Sequence, residues 1–370
     1  MSQADIHYMQ RCLGLAEVGR YTAKPNPVVG AILVAGDTII AEGFHERAGQ
    51  DHAEIMALKK AGDRARGATL YVTLEPCSHT GRTGPCADAV IEAGVARVVY
   101  GMVDPNPAVS GNGLDKLRAA GIQVDGPVLP EAAEALNRGF AKRMREGLPY
   151  VRCKLAMSLD GRTAMASGES KWITGPEARE DVQKLRAQSG VVMSGIETVL
   201  VDDPGLDARF EGVSIIQPLR VIVDSRLRIP PAAKTLQLPG EVMVATAVTS
   251  NDLLIDKQKE LARDNVVIVP CANTDGRVDL VALLRYLAVE KQCNDILLET
   301  GAELAGAMLD ARLVDEVITY IAPKLLGSDA RPLFNLRGKT TLSDHVALEL
   351  CDVVMLGKDC RMRSRVKRAP

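Results

Sequence analysis

The sequence predicts an α/β protein of two domains. Strand and helix patterns alternate along most of the 370 residues, which is typical of a sheet covered by helices. The length is sufficient for two domains, each with its own hydrophobic core. The triplet Gly147-Leu148-Pro149 interrupts the pattern and is the best candidate linker. We therefore predict one domain over residues 1–146 and a second over residues 150–370, with a linker at 147–149.

The first domain is predicted to contain four helical regions before its final helix, together with an early hairpin. Short apolar runs indicate strands, and a 3.6-residue apolar period indicates helices. In chain order the expected elements are a helix over 6–17, a hairpin of strands 28–34 and 38–43 that turns near 36–37, a helix over 52–61, a strand over 69–74, a helix over 87–93, a strand over 97–100, a short helix near 114 and a longer helix over 131–144.

The second domain shows the same alternation with its own apolar strands. The expected elements are strands over 150–157, 191–193, 220–224, 266–269 and 296–299, and a helix over 176–188. The basic run at 361–368 is expected to be a solvated, disordered end of the chain.

Composition argues against several classes of protein. A formal net charge of −2 provides no positive field for nucleic acid or anionic membranes, and 3% aromatic residues are few for a stacking platform. No apolar run approaches the ~18 residues that span a bilayer. The eight cysteines are scattered rather than clustered, so we expect a reducing cytoplasm rather than a disulfide framework.

A candidate zinc site lies in the first domain. His52, Cys77 and Cys86 offer one imidazole and two thiolates, the three protein ligands that are usual for catalytic zinc. Glu54 is placed where it could move protons to and from a water at the metal. The alternatives are a structural zinc closed by His79 as fourth ligand, or unrelated core cysteines. We favour the catalytic interpretation, with one zinc ion per chain, because Glu54 occupies the position that the nucleobase-deaminase signature requires.

The spacing of the two cysteines departs from that general signature, which has two residues between them where this chain has eight. The wide spacing and several segments resemble the pyrimidine deaminase of riboflavin biosynthesis. The segments are Pro25-Asn26-Pro27-Val28-Val29-Gly30, His52-Ala53-Glu54, Thr73-Leu74-Glu75-Pro76-Cys77-Ser78-His79, Gly81-Arg82-Thr83-Gly84-Pro85-Cys86 and Asp104-Pro105-Asn106-Pro107.

This resemblance implies a cytidine-deaminase-like α/β/α domain and a specific substrate. The substrate would be 2,5-diamino-6-ribosylamino-4(3H)-pyrimidinone 5′-phosphate, which loses its 2-amino group. One local departure is Gly84, where the family usually has a second proline. The matching substrate-contact positions are Asn26, His45, Arg82, Asp104 and Asn106, and we add His79 as a candidate contact with the substrate.

The second domain lacks the glycine fingerprint of a Rossmann dinucleotide site. A buried strand at 296–299 instead runs into Gly301 and a helix of small residues, whose N-terminal amides could receive a phosphate. That pattern alone is weak, since a glycine after a strand is more often a tight turn. Residues 154–162, 167–174, 198–204 and 322–327 resemble the NADPH-dependent reductase of the same pathway, which has a dihydrofolate-reductase-like α/β fold.

The reductase resemblance implies two sets of site residues. Those matching the NADPH site are Ala156, Trp172, Thr198, Asp202, Ser225, Gly301, Ala302, Glu303, Leu304, Ala305, Gly306 and Ala307. Those matching the substrate site are Lys154, Ser170, Arg186, Leu206, Arg209 and Glu299. Arg186 and Arg209 suit a phosphate because a guanidinium group can bind it with two hydrogen bonds. Arg226 is an added candidate for the 2′-phosphate of NADPH.

We therefore predict a bifunctional enzyme that deaminates the pyrimidine and then reduces its ribosyl chain, giving 5-amino-6-(5-phosphoribitylamino)uracil. The partners would be small phosphorylated pyrimidines, with no nucleic acid and no membrane, and the family resemblance suggests a homodimer or higher homo-oligomer. The alternative is a nucleic-acid editing deaminase of the tRNA type with an appended binding module. A third possibility is a binding protein with only one active half.

Overall fold

The computed structural model of the chain describes residues 2–78, 84–107, 109–210 and 212–367. The chain divides into two compact units, Met1–Leu148 with Ser214–Ile216, and Pro149–Val213 with Gln217–Pro370. Each unit is built around a sheet of its own.

The first unit has a five-stranded mixed sheet. Its strands are in the order β2-β1-β3-β4-β5, with antiparallel pairing from β2 to β3 and parallel pairing from β3 to β5. In chain order the elements are α1 Gln3–Val18, β1 Gly30–Ala35, β2 Thr38–Phe44, α2 Ala53–Ala61, β3 Thr69–Leu74, α3 Cys86–Glu92, β4 Arg97–Met102, α4 Asn112–Ala119, β5 Gln123–Asp125, α5 Pro130–Leu136 and α6 Arg138–Glu146.

Successive side chains of β1 point to opposite faces of the sheet, and each face is covered by a different layer of helices. Ile32 and Val34 face helix α1, where they pack with Met9 and Cys12. The intervening residues, including Leu33, face the opposite way and share a core with helices α2, α3 and α4. Helix α1 begins with a capping box in which the side chains of Ser2 and Asp5 each accept a hydrogen bond from the other's backbone N–H.

The second unit has a nine-stranded sheet and a separate two-stranded ladder. In chain order its elements are β6 Tyr150–Ser158, β7 Arg162–Ala164, α7 Pro176–Gln188, β8 Val191–Gly195, α8 Ile196–Asp202, β9 Leu219–Val223, α9 Lys234–Gln237, β10 Val242–Thr246, α10 Asn251–Glu260, β11 Val266–Pro270, α11 Leu280–Val289, β12 Asp295–Glu299, α12 Ala302–Asp310, β13 Glu316–Ala322, β14 Arg331–Pro332, β15 Leu348–Leu356 and β16 Asp359–Val366.

The large sheet is parallel over most of its width. Its order is β11-β10-β9-β8-β12-β6-β13-β16-β15, and only the pairings of β13 with β16 and of β16 with β15 are antiparallel. Consecutive parallel strands require crossover connections, and helices supply them here. The carboxyl ends of β6, β8, β9 and β12 therefore meet at one edge, where ligands of open parallel sheets bind.

Most predicted elements are confirmed, and two predictions are wrong. The single helix expected over 131–144 is two helices, which meet at Asn137 because its side chain bonds both the N–H and the C=O of Val28 at 2.9 Å. The basic run expected to be a disordered end forms strand β16 up to Val366. Its arginines are paired with distant acids: Arg361 lies 3.0 Å from Asp181, and further pairs join residue 363 to 316 and residue 365 to 349.

Candidate active sites

The three expected zinc ligands lie at the ends of neighbouring elements in the first unit. His52 is the residue that caps the N-terminus of α2, and Glu54 follows in the first turn of that helix. Cys77 follows the end of β3, and Cys86 is the first residue of α3. Because α2 and α3 contact each other in the core on one face of the sheet, the short motifs converge although 25 residues separate His52 from Cys77.

The geometry of this cluster fits a zinc ion. The Nδ1 atom of His52 lies 3.2 Å from Sγ of Cys86 and 3.6 Å from Sγ of Cys77. Tetrahedral zinc with ordinary bond lengths sets such ligand atoms about 3.5 Å apart. All three ligand atoms lie within 4.8 Å of one another, the one such cluster among the described residues. One nitrogen and two sulfur donors form the set expected for a catalytic zinc with an open fourth position.

The electrostatics of the cluster match these roles. The hydrogen bond from the Cys86 thiol lowers the pKa of Cys77, with His52 adding to the effect. The backbone N–H of Cys86 also donates to Sγ of Cys77 at 3.3 Å, which favours a thiolate there. Burial raises the pKa of the Glu54 carboxyl to about 7, and the side chain is almost completely enclosed. A carboxyl group in this range can both accept and return a proton near neutral pH.

His45 and Asn26 lie beside the zinc ligands. The Nδ2 group of Asn26 donates to Nε2 of His45 at 3.0 Å, and Nδ1 of His45 lies 3.1 Å from the carbonyl oxygen of Asp51. In this arrangement the His45 proton is on Nδ1, and burial lowers the pKa of the ring. The ring also meets His52 edge to face, with the centroids 5.3 Å apart. The structure thus brings two expected substrate-contact residues to the zinc cluster.

Asp104 and Asn106 follow strand β4, on a loop that leads to α4. The backbone N–H of Asn106 donates to the Asp104 carboxylate at 2.8 Å. His79 and Arg82, the other two expected substrate contacts, lie outside the described residues.

Sequence reasoning assigned no role to two buried polar residues that hold these loops. Glu75 accepts hydrogen bonds from the backbone of the loop after β4, and Asn137 brackets Val28, two residues after Asn26. A signal for Glu75 was its place two residues before Cys77, inside the motif that runs from Thr73 to His79. Asn137 gave no signal, because an asparagine within a helical pattern is ordinarily exposed.

The expected reductase residues gather at the carboxyl edge of the large sheet. Lys154 and Ala156 lie on β6, Thr198 lies in the helix after β8, Ser225 follows β9, and Glu299 ends β12. Two hydrogen bonds tie β8 to the residues after β12: the Ser194 hydroxyl donates to the Glu299 carbonyl at 2.7 Å, and the Gly195 N–H donates to the Thr300 hydroxyl at 3.2 Å. The expected cofactor segment 301–307 comprises the N-cap and the first six residues of α12.

Three of the expected substrate residues form one buried charge cluster. The Glu299 carboxylate accepts from Nε and one terminal nitrogen of Arg186, at 2.5 and 3.0 Å, and lies 3.4 Å from Nζ of Lys154. Burial acts to raise the pKa of Glu299, but the charges of Arg186 and Lys154 outweigh it and lower the pKa to about 2. The other terminal nitrogen of Arg186 donates to the Asp207 carbonyl at 3.0 Å. Arg186 therefore directs its donors to protein groups.

The other expected reductase residues differ in exposure. Leu206 is buried in the core, so its backbone is the part that could reach a substrate, whereas the Arg209 side chain is 65% exposed. The Ser170 hydroxyl donates to Asp202 at 3.3 Å, which joins a substrate position to a cofactor position. Trp172 is exposed and lies under the Arg179 guanidinium, whose carbon is 4.7 Å from the centroid of the ring system.

No helix among the described residues is both long enough and apolar enough to cross a membrane.

The two units and the sites described above define a class of protein: a zinc-dependent deaminase domain followed by an α/β reductase domain.

Comparison with known proteins supports this class for both halves. Residues 2–102 match the cytidine and deoxycytidylate deaminase zinc-binding region, and residues 149–361 match the RibD C-terminal domain. The riboflavin biosynthesis protein RibD of Escherichia coli K12 is 48% identical over 96% of this chain and 97% of its own length. That of Haemophilus influenzae is 47% identical over 98% of this chain and 97% of its own.

Solved structures give the same result. Form 1 of RibD from Acinetobacter baumannii superposes with a TM-score of 0.91 at 45% identity, covering 99% of both chains. A diaminohydroxyphosphoribosylaminopyrimidine deaminase/5-amino-6-(5-phosphoribosylamino)uracil reductase from Thermotoga maritima superposes with a TM-score of 0.86 at 33% identity, covering 98% of this chain and 99% of its own.

The chain belongs to the RibD family of riboflavin biosynthesis proteins. It is a bifunctional deaminase and reductase, with zinc and NADPH as cofactors. The predicted fold and activities are confirmed, and the editing-deaminase alternative is not supported.

Proposed function

We propose that the first site deaminates 2,5-diamino-6-ribosylamino-4(3H)-pyrimidinone 5′-phosphate with Glu54 as proton shuttle. The cluster of His52, Cys77 and Cys86 carries this proposal, because its donor set and spacing fit zinc and Glu54 lies beside it without being one of the ligands. Zinc, when bound, supplies the Lewis acidity that makes water a nucleophile near neutral pH.

Each residue proposed for the deaminase site then has a defined task. Glu54 takes a proton from the attacking water and passes it to a ring nitrogen, and then moves the proton of the new hydroxyl group to the departing amino group, so that a C–O bond forms, the C–N bond to the amino group breaks and ammonia leaves. Asn26, His45, Asp104 and Asn106 would contact the pyrimidine, since amide and carboxylate groups can read its ring edges. His79 and Arg82 are proposed to complete the site, with Arg82 on the phosphate.

The second site is proposed to reduce the ribosyl side chain of the deaminated product to the ribityl chain. NADPH supplies the hydride. Lys154 and Glu299 would face the reacting end of the substrate, and Ser170, Leu206 and Arg209 would line its remainder. Arg186 is proposed to act through Glu299, which it holds with two hydrogen bonds. The residues proposed to bind NADPH are Ala156, Trp172, Thr198, Asp202, Ser225 and 301–307.

The division of tasks follows the expected domains, with deamination in residues 1–146, reduction in residues 150–370 and a linker at 147–149. We propose that the protein acts in the cytoplasm on small phosphorylated pyrimidines, without nucleic acid.

We also propose a homodimer or higher homo-oligomer. The hairpin of β15 and β16 supports this proposal, because four large apolar side chains lie exposed on one face of the edge strand β15: Leu348, Leu350, Val353 and Met355. A bulge after Leu350 adds one residue to the strand and so keeps Val353 and Met355 on the same face as Leu348 and Leu350. Sedimentation of the purified protein measures this directly, and a monomer at micromolar concentration would contradict it.

A Glu54→Gln variant tests the deaminase assignment. We expect it to keep one zinc per chain and to lose deamination by about a thousandfold, because the amide cannot shuttle protons. Ammonia release from the diaminopyrimidine phosphate and zinc content are the measurements, and NADPH oxidation with supplied deaminated substrate is the internal control. Deamination at a rate near that of the wild type would show that another group is the base.

A further inference from the structure

Glu75 is a buried carboxylate that accepts hydrogen bonds from the backbone of the loop after β4 and of the first turn of α4. It lies directly after β3 and two residues before Cys77, and its side chain is 2% exposed. One carboxylate oxygen accepts from the N–H of Asp104 at 3.1 Å and of Gly111 at 3.0 Å. The other accepts from Gly113 at 2.9 Å and from Leu114 at 3.4 Å. Such a group is costly to bury unless its lone pairs are satisfied, and these four donors satisfy them.

Two of the four donors are amides for which a helix provides no acceptor of its own. Gly113 and Leu114 are in the first turn of α4, where helical N–H groups have no partner within the helix. The helix is preceded by Gly111, which has φ +84° and no side chain to act as a cap. Glu75, directly after β3, therefore accepts the hydrogen bonds that the side chain of an N-cap residue of α4 would otherwise accept.

The same loop lies directly against the zinc motif. A Cβ atom added to Gly113 would stand 1.9 Å from the carbonyl oxygen of Pro76, the residue between Glu75 and Cys77. Only glycine permits this approach. The loop also carries Asp104 and Asn106, which are joined by their own hydrogen bond of 2.8 Å. The Glu75 carboxylate thus holds the loop that carries Asp104 and Asn106 at a fixed distance from the backbone of the zinc motif.

We propose that Glu75 is a positioning residue for deamination, which holds Asp104 and Asn106 against the pyrimidine without touching substrate or metal. The proposal rests on the proposed substrate contacts of those two residues. It assigns to Glu75 an effect on substrate binding rather than on zinc binding.

A Glu75→Gln variant tests this role because it keeps the shape of the side chain but replaces one acceptor oxygen with a donor. We expect the KM for deamination to rise on the order of tenfold or more, since hydrogen bonds to a charged group are lost, while kcat changes by less than about threefold. Zinc content and NADPH oxidation with supplied deaminated substrate should equal those of the wild type. Glu92→Gln, on the exposed face of α3, is the matched control.

An Asn106→Ala variant separates this proposal from the one on which it rests. Unchanged KM in Asn106→Ala would remove Asn106 from the substrate site. A raised KM in Asn106→Ala combined with wild-type kinetics in Glu75→Gln would overturn the positioning role, and so would loss of zinc in Glu75→Gln. If Glu75→Gln does not fold, amide hydrogen exchange of the wild-type enzyme decides: protected amides at Gly111 and Gly113 support the contact, and exchange at the rate of an unstructured chain overturns it.

Discussion

The two candidate sites are assembled in different ways. The zinc ligands span residues 52 to 86, and short motifs at the ends of neighbouring elements bring them together. The charge cluster of the second unit joins Lys154 and Arg186 to Glu299, which lies 145 residues beyond Lys154. The residues of a short motif are close together in the sequence. The residues of the charge cluster, in contrast, come together only when the parallel strands have adopted their order in the sheet. The first site is therefore recognisable from local motifs, whereas the residues of the second were indicated only by the resemblance to a reductase family and come together through the sheet.

The sites also differ in how their charges are balanced. The deaminase cluster consists of an imidazole and two thiols, which a cation would complete. In the reductase cluster one buried carboxylate already has two cationic partners. We therefore expect removal of a ligand to act on metal binding in the first unit, and removal of a charge to act on folding in the second.

The largest expected effect is that of Cys77→Ala. The variant should lose deamination by about a thousandfold or more, because two remaining ligands hold zinc poorly. Its reduction of supplied deaminated substrate should stay within about twofold of the wild type. Ammonia release, NADPH oxidation and zinc content are the measurements. Cys351→Ala, at an exposed cysteine outside both sites, is the control. Parallel loss of both activities would mean that the two units do not function independently.

The second expected effect is a loss of stability in Glu299→Gln. Removing the carboxylate leaves the buried Arg186 and the partly buried Lys154 without their charged partner, and breaking a buried ion pair typically costs about 3–5 kcal/mol. Trp172 is the sole tryptophan and belongs to the second unit, so its fluorescence during urea unfolding reports on that unit. The midpoint should fall, while deamination in the absence of urea persists. Glu290→Gln, an exposed change, is the control.

Low pH should affect the stability of the wild type and of Glu299→Gln differently. The pKa of Glu299 is depressed from its ordinary 4.5 to about 2, so its stabilising contribution is complete above about pH 4.5 and is lost as the pH falls toward 2. The wild type should lose more stability over this range than Glu299→Gln does. Equal acid sensitivity of the two proteins would contradict the balance inferred for the cluster.

The smallest expected effect concerns cofactor choice. Arg226 is exposed in the turn after β9, beside Ser225, whose hydroxyl accepts from the Val278 N–H at 3.1 Å. If Arg226 binds the 2′-phosphate, Arg226→Ala should raise the KM for NADPH by about tenfold and leave that for NADH unchanged. Arg228→Ala, at an arginine paired with Glu197, is the matched control. Unchanged preference for NADPH would remove Arg226 from the cofactor site.

Local signals in the sequence predicted most elements of the first unit, but in the second unit they did not indicate β10, β13 or the helices between β9 and β12. The strand over 69–74 and the helix over 176–188 have the predicted bounds, because apolar pattern and flanking residues agree there. The zinc cluster was also predictable, since its residue types and order are chemically specific. The spacing between the cysteines, together with the segments that resemble the pyrimidine deaminase of riboflavin biosynthesis, directed the prediction to a small phosphorylated pyrimidine.

The errors occurred where a distant partner decides the structure. Asn137 ends a helix because it binds Val28, 109 residues away. The arginines of β16 suggested a solvated run, yet Arg361 pairs with Asp181, 180 residues earlier in the chain. Glu75 had no evident role until the loop after β4 was seen to donate to it. In each case the sequence contains the group but not the position of its partner.

The place of β16 in the sheet has a consequence for synthesis of the protein on the ribosome. This strand lies between β13 and β15, and Asp359 at its start accepts from the Gly175 N–H, which precedes α7, at 2.6 Å. The second unit cannot complete its sheet until residue 366 has emerged, whereas Met1–Leu148 is available for folding long before then. We expect the nascent chain to acquire its zinc-binding half early in translation and its reducing half only once strand β16 has emerged from the ribosome.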